Sequence, residues 1–494
     1  MINYKEYNIF IKRIGLVGVA QIILSLRGLI ILPILTKSLG ASGYGILTQI
    51  LITVSLLQPF VQLGLGTSTV RFLSSKKKEE IAQGIFTCLS ITLLTGLITS
   101  LVLLLSANYL ASILINNESA IFIIKLSSPL IILEALNAIT LGSFRIFGKL
   151  KYYFVSILLQ AILEIGLVAF FVLSGYGLFG AVVSFLIGRA ITLALNLYFI
   201  YSCVGFASPD FSLLRPFLIY GVPLIPGSIL DFVVSLSDRY VIGFFMGAKY
   251  VGIYSAAYGL GNIISLFLTV TAYILAPTVF NLYDKGKFDE VKNYLSYSWK
   301  YLLMLSIPSA FGLSILAKPL LNSLTTPEFI STGKFIVPLV SFSMVLYGMY
   351  VIFGEVIQFL KQTKIFALAI GIAGVINIGL NFLFIPLWGV NGAAITTFIA
   401  YAIMALIIFY KSRQYMKFNL HLGFLVKSIL ASIVMSSAIW AFDPIGAVEI
   451  ISSVIIGAAI YFAVLLLLNG FKKAETQFFI QLFKKTVGEI RNTQ

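Results

Sequence analysis

Apolar residues along this chain come in unbroken runs of roughly twenty, a length that neither a surface helix nor a half-buried strand requires. Fourteen such runs can be drawn, near 14–36, 44–66, 83–106, 119–142, 153–173, 177–200, 218–246, 252–277, 299–317, 335–360, 366–387, 390–410, 424–442 and 447–469. At 1.5 Å per residue, about twenty residues cross a hydrocarbon core roughly 30 Å thick. The pattern therefore predicts an all-α polytopic membrane protein with about 14 transmembrane helices joined by short connections. The first run, Ile14 to Thr36, is too long for a signal-peptide core and is not followed by a small-residue cleavage pattern, so it is expected to remain in the chain.

Composition agrees: 59% of the 494 residues are hydrophobic and 11% are charged, with a net charge of +16. The charge sorts by loop. The N-terminus and alternate loops carry 24 Lys and Arg, the opposite set only Lys37, Lys125, Lys249, Lys318 and Lys334. By the positive-inside rule both termini face the cytoplasm of a multi-pass plasma-membrane protein. The basic excess thus reports orientation, not a nucleic-acid partner. The two cysteines, Cys88 and Cys203, and the single His421 supply no metal cluster, no disulfide framework and no Ser-His triad.

Two segments recur. Leu39-Gly-Ala-Ser-Gly-Tyr-Gly-Ile46 matches Met246-Gly-Ala-Lys-Tyr-Val-Gly-Ile253, and "YGLFGAVVSFLIGRAI" (176–191) matches "WGVNGAAITTFIAYAI" (388–403), with "LEIGL" (163–167) and "INIGL" (376–380) upstream. Similar offsets imply two six-helix lobes in parallel repeat plus two C-terminal helices. The domains predicted are an N-terminal lobe over 1–205, a C-terminal lobe over 206–415, and a last pair of spans with a cytoplasmic tail over 416–494. Parallel repeats of this kind occur in transporters that rock two lobes around a central site.

Charges inside spans are costly and mark a path or a buried partner. Arg27 lies midway along span 1, so it is expected near the midplane, either as an anion site or as the partner of a carboxylate such as Glu164 or Asp231. In span 7, Asp231, Ser235, Asp238 and Arg239 fall at i, i+4, i+7 and i+8 on one stripe. Asp238 and Arg239 point in neighbouring directions, so each is expected to find a separate partner. Pro223 and Pro226 open that helix, where a bend is easily made. Gln49, Gln58, Asn377 and Asn381 are further candidates for a polar chamber; interhelical hydrogen bonding is the competing explanation. Glu355 and Arg189 are expected near span ends, and the many tyrosines are read as packing or lipid-facing with no aromatic cage. The nearest approach to a Walker loop, "GSFRIFGKL" (142–150), has five residues where four are needed and then Leu150, so it fails. No cofactor is called for, and no enzyme chemistry is expected.

"KSLGASGYG" (37–45), "LGLGTSTVRFLS" (63–74), "DRYVIGFFMGAKYVGIYSAAY" (238–258) and "QTKIFALAIGIAGVINIGLNFLFIPLWGVNGAA" (362–394) together resemble the polysaccharide-biosynthesis (Wzx-type) flippases of the multidrug/oligosaccharidyl-lipid/polysaccharide exporter superfamily. The resemblance covers nearly the whole chain and rests on the order and spacing of individually weak motifs. It implies two lobes that move a polyprenyl-pyrophosphate-linked oligosaccharide from the cytoplasmic to the outer leaflet by alternating access. It also implies that spans 13 and 14 form a groove for the lipid tail, and that Arg27 corresponds in helix and depth to an arginine of the similar lipid II flippases. The expected partners are this lipid-linked oligosaccharide, the bilayer, and H+ or Na+ as coupling ion, with the chain acting as a monomer. Substrate-binding candidates are Arg27, Arg239, Asp238, Asp231, Gln49, Gln58, Asn377 and Asn381. The alternative is an ion-coupled small-molecule (multidrug) antiporter of the same superfamily, against which stand Arg27 on the first helix and the two extra spans. A glycan polymerase or ligase would need acids on a long outer loop; the loops around 107–118 and 318–334 offer only Glu118 and Glu328.

Overall fold

Within a bilayer no water is at hand for backbone N–H and C=O groups, so a spanning chain has to satisfy them itself. The computed structural model meets this with helices alone: it describes residues 4–112, 120–471 and 475, and no strand occurs among the described residues. Glu118 and the basic tail beyond Phe471, apart from Glu475, lie outside them.

In chain order the helices are α1 (Tyr4–Gln62), α2 (Leu65–Leu73), α3 (Lys78–Leu110), α4 (Ala120–Ser127), α5 (Pro129–Ile146), α6 (Leu150–Phe171) and α7 (Gly177–Val204). There follow α8 (Leu214–Gly221), α9 (Ile225–Leu236), α10 (Asp238–Met246), α11 (Ala248–Gly261), α12 (Ser265–Asp284) and α13 (Phe288–Ile315). The last are α14 (Ala317–Leu324), α15 (Pro327–Phe359), α16 (Thr363–Trp388), α17 (Val390–Tyr415), α18 (Leu422–Phe442) and α19 (Ala447–Leu467).

Among the described residues, 11 helical stretches are long and apolar enough to cross a membrane, or 12 if α13 and α14, bent by 67°, count as one. Two of these stretches are too long for a single crossing. The 55 residues of Leu150–Val204 would reach about 80 Å as one rod. Helical geometry fails inside both: at Gly40 in α1, and at Gly175 to Gly177 between α6 and α7. Taken as two spans each, they are compatible with the fourteen predicted.

The repeat is a repeat of backbone as well as of letters. Gly40 (φ 65, ψ −177) and its match Gly247 (φ 81, ψ 176) share a conformation open essentially to glycine alone. Gly177 (φ 51, ψ −133) and its match Gly389 (φ 60, ψ −145) share another. Each of these glycines stands where one span ends and the next begins.

Buried apolar residues fall into three clusters. The largest draws on α9 to α19 and admits Leu32 and Ala41 from α1. The two smaller ones belong to the first seven helices and admit only Ala248 and Phe217 from beyond them. The crossings are made where small residues let backbones touch. A Cβ at Gly45 would lie 1.8 Å from the Ala248 carbonyl oxygen, and one at Gly252 would lie 2.1 Å from that of Ala41. Ala41/Gly45 and Ala248/Gly252 are thus two small-xxx-small pairs laid on each other. At the opposite end of α1, a Cβ at Gly64 would lie 2.3 Å from the Gly221 carbonyl oxygen, and Ser68 donates to the Phe217 carbonyl at 2.8 Å. Helix α8 is therefore fastened to the first half, and the turn at Val222–Leu224, which holds Pro223, separates it from α9 in the second.

Candidate functional site

Between the Gly64 end of α1 and the start of α9 lies a cavity of about 410 Å³. Its wall is rich in polar side chains: Ser55, Gln58, Gln62 and Thr67 on one side, Ser228, Asp231 and Ser235 on the other. Pro59, Leu224, Ile225 and Phe232 supply the apolar part. Gln62 donates to the Gln58 side chain at 3.0 Å, and Gln58 donates to the Ile131 carbonyl at 3.3 Å, which holds both amides at the wall. Asp231 is exposed to this space, and no cation lies within ion-pair distance of it among the described residues. The pattern of donors and acceptors with one carboxylate suits a hydroxyl-rich ligand.

A second polar cluster occupies the first half. Arg27, on the first part of α1, donates to Glu164 of α6. Arg189 of α7 donates to the other oxygen of the same carboxylate at 2.8 Å, and to Glu134 of α5 at 3.1 Å. Gln160, one turn before Glu164, donates to it at 3.1 Å. The cluster joins four helices with two positive and two negative charges. Arg27 keeps 24% of its side chain exposed, whereas Glu164 has none.

The third cluster is in the second half and is sealed. Asp238 and Arg239, at the start of α10, are 1% and 3% exposed. Arg239 donates to Asp238 at 2.7 Å and to the Ser235 carbonyl at 2.7 Å. Tyr254 donates to Asp238, and Thr397 donates to it at 3.3 Å. The guanidinium lies 5.1 Å from the Tyr254 ring centroid and 4.1 Å from that of Tyr258, a cation–π arrangement. Beyond it, Asn381 donates to Asn377 at 3.0 Å and accepts from Thr396. The repeat relates the two clusters: Glu164 and Asn377 match in "LEIGL" and "INIGL", and Arg189 matches Tyr401.

Several expectations are corrected by these contacts. The residues of the span-7 stripe divide between two surroundings: Asp231 and Ser235 meet the cavity, while Asp238 and Arg239 are buried in the second half. Contrary to expectation, Asp238 and Arg239 pair with each other, and each also has partners of its own: Tyr254 and Thr397 for Asp238, the Ser235 carbonyl and two tyrosine rings for Arg239. Arg239 does sit on tyrosine rings, although the sequence suggests no aromatic cage; the i, i+4 spacing of Tyr254 and Tyr258 was the available signal. Arg189 is not a snorkelling end residue but a member of the Arg27 cluster. Glu355 is 3% exposed inside α15, and its Oε2 meets no hydrogen-bond partner among the described residues. Of the other candidates, Gln58 and Asp231 line the cavity, Asn377 and Asn381 are buried between α16 and α17, and Gln49 is buried away from it.

At the Gly40 end the halves are tied by a residue read from sequence only as a loop acid. Glu328, in the first turn of α15, accepts from the Ala41 backbone N–H at 2.7 Å and lies 3.7 Å from Lys249. Lys37 donates to the Ser323 carbonyl at 2.7 Å. Elsewhere an apolar cavity of about 470 Å³ runs between α13, α18 and α19 and reaches Leu29 of α1, two residues from Arg27.

The chain is similar in sequence and in fold to several known proteins. A family model described as polysaccharide biosynthesis protein matches residues 10–282, and one described as MatE matches 223–383. A curated relative from Haloferax volcanii, named as a probable low-salt glycan biosynthesis flippase, Agl15, is 24% identical over 292 residues, covering 59% of this chain and 61% of the relative. The chain thus spans about three-fifths of that relative's length. Among solved structures, the lipid II flippase MurJ in an inward closed conformation superposes with a TM-score of 0.74 at 19% identity, over 93% of this chain and 99% of that one. An inward-facing multidrug resistance MATE family transporter of the MOP superfamily gives 0.68 at 15% identity, over 80% and 97%. At such identities these two establish the fold alone.

Proposed function

We propose, from the premise that the chain belongs to the polysaccharide biosynthesis protein family, that it is a flippase for a polyprenyl-pyrophosphate-linked oligosaccharide. It carries this lipid from the cytoplasmic to the outer leaflet of the plasma membrane by alternating access, for the assembly of a surface glycan. The observation that carries the reading is the 410 Å³ polar cavity between the halves, set in a bundle with lipid-facing apolar walls.

The chemistry divides along the substrate. A sugar headgroup needs hydrogen bonds in a wet space, which Gln58, Gln62, Asp231 and the serines offer. A pyrophosphate carries at least two negative charges and cannot cross hydrocarbon alone; the part-exposed guanidinium of Arg27 presents a fork of donors suited to phosphate oxygens. The prenyl tail fits the apolar cavity against α18 and α19, which Leu29 of the helix that bears Arg27 helps to line. Asp238, Arg239, Asn377, Asn381 and Gln49 serve as the fixed inner wall of their halves rather than as contacts with the headgroup.

Residues 1–205, with α8 fastened to them, and the remainder of 206–415 act as the two lobes, with 416–494 as the appended pair and tail, and both termini are cytoplasmic. With that orientation the cavity lies toward the cytoplasmic end, while Gly45, Gly252 and Glu328 close the outer end. The test is selectivity in proteoliposomes holding the purified full chain. Transbilayer movement of a fluorescent prenyl-pyrophosphate oligosaccharide is expected, with no uptake of a small organic cation against a proton or sodium gradient. Cation exchange without lipid movement would replace this reading with the antiporter.

A further inference from the structure

Glu164 is an unusual residue for its place. Its carboxylate is wholly inaccessible, yet it serves two arginines at once: one oxygen meets Arg27, the other meets Arg189 at 2.8 Å. The two guanidiniums differ in how firmly they are held. Arg189 is also bound to Glu134 at 3.1 Å, and its backbone carbonyl accepts from Asn137 at 3.0 Å. Among the described residues Arg27 makes one side-chain hydrogen bond, through a single nitrogen, and it is the more exposed of the pair. A guanidinium has five N–H donors, so Arg27 retains most of its hydrogen-bonding capacity for another acceptor.

We propose that Glu164 is a built-in dock for Arg27: the empty carrier parks the arginine there, and the pyrophosphate of the substrate takes it away. This rests on the flippase reading and names the part of it that handles charge. When Arg27 leaves, Glu164 is not stranded, since Arg189 and Gln160 still donate to it. When substrate departs, Arg27 returns to the carboxylate, so the empty carrier reorients without an unpaired cation near the midplane, where such a charge is costly. Arg189 is a positioning residue in this scheme. By drawing on the same carboxylate it loosens the hold of Glu164 on Arg27. The dock competes with any phosphoanhydride, whether carried on a lipid or free.

Two substitutions therefore act in opposite directions. In the detergent-purified full chain, Glu164→Gln is expected to bind geranylgeranyl pyrophosphate at least tenfold more tightly than wild type. Arg189→Gln, which leaves Glu164 to Arg27 alone, is expected to bind it at least tenfold more weakly. Geranylgeraniol, with the same tail and no charge, is expected to bind all three proteins alike. Inorganic pyrophosphate is expected to compete in Glu164→Gln, and the lipid to be preferred over it because only the lipid also fills the apolar cavity. In proteoliposomes Glu164→Gln should keep the exchange of labelled lipid between lipid-loaded leaflets and lose at least tenfold in net movement into an unloaded one.

A purely structural role predicts that both substitutions weaken binding, and that exchange and net movement fall together; either result overturns the dock. Should Glu164→Gln not fold, unchanged or tighter binding in folded Arg189→Gln overturns it alone. Failure of the wild type to move lipid in either mode refutes the flippase reading instead, which separates the two.

Discussion

Arg27 and Arg239 are both arginines inside membrane helices, and their surroundings assign them different work. Arg239 is enclosed by its own neighbour Asp238, the Ser235 carbonyl and two tyrosine rings. Removing one partner of such a buried pair strands the other and typically costs about 3–5 kcal/mol. Asp238→Asn is therefore expected to lower the thermal unfolding midpoint of the purified protein markedly. Asp231→Asn, at the cavity wall with no ion pair to lose, is expected to stay within about 0.5 kcal/mol of wild type and to reduce lipid movement instead. Equal destabilisation by the two would contradict this division. The sequence makes the cost of each intramembrane charge plain, and Glu164 stands among the partners it suggests for Arg27. It does not reveal that Asp238 is enclosed by Tyr254 and Thr397 while Asp231 opens to the cavity, because what covers each stretch of a helix is decided by tertiary packing.

At the scale of elements, matched glycines build the two halves. Gly40 and Gly247 adopt backbone conformations closed to other residues, and Gly45 and Gly252 permit α1 and α11 to touch. Gly45→Val would force a side chain into the Ala248 carbonyl. It is expected to cost about 1–3 kcal/mol and to abolish lipid movement, while Gly379→Val, which meets nothing within 4 Å, should behave as wild type. Unfolding midpoints and initial flipping rates of the two variants check this. The repeat was legible from these glycines because such backbone geometry leaves no alternative residue. Less legible was the fastening of α8 to the first half through Gly64 and Gly221. Nothing in a one-dimensional pattern distinguishes a glycine in a turn from one pressed on another backbone. Glu328 was hidden for a similar reason: its partner, the Ala41 N–H, is 287 residues away and carries no side-chain signature.

Across the whole molecule, the run lengths foretell the helical membrane fold, while the division into two lobes and the path of the tail belong to the proposal. In that proposal the tail lies in the apolar cavity between α13, α18 and α19, which Leu29 of the helix that bears Arg27 helps to line. Ala458→Trp, on the α19 side of the cavity, should obstruct it. Movement of a long-chain prenyl-pyrophosphate oligosaccharide is expected to fall at least fivefold, about 1 kcal/mol in barrier, while a short-chain analogue is moved at the wild-type rate. Equal loss for both chain lengths, read in the same vesicle assay, would remove the cavity from the lipid path.

On the proposed route a headgroup phosphate meets Arg27 on its way between the halves. The most direct test is the initial rate of transbilayer movement of a prenyl-pyrophosphate oligosaccharide in proteoliposomes, compared between wild type and a folded Arg27→Gln protein. A loss of at least a hundredfold, about 2.7 kcal/mol, is the predicted result. A folded Arg27→Gln protein that moves the lipid at the wild-type rate would contradict the account.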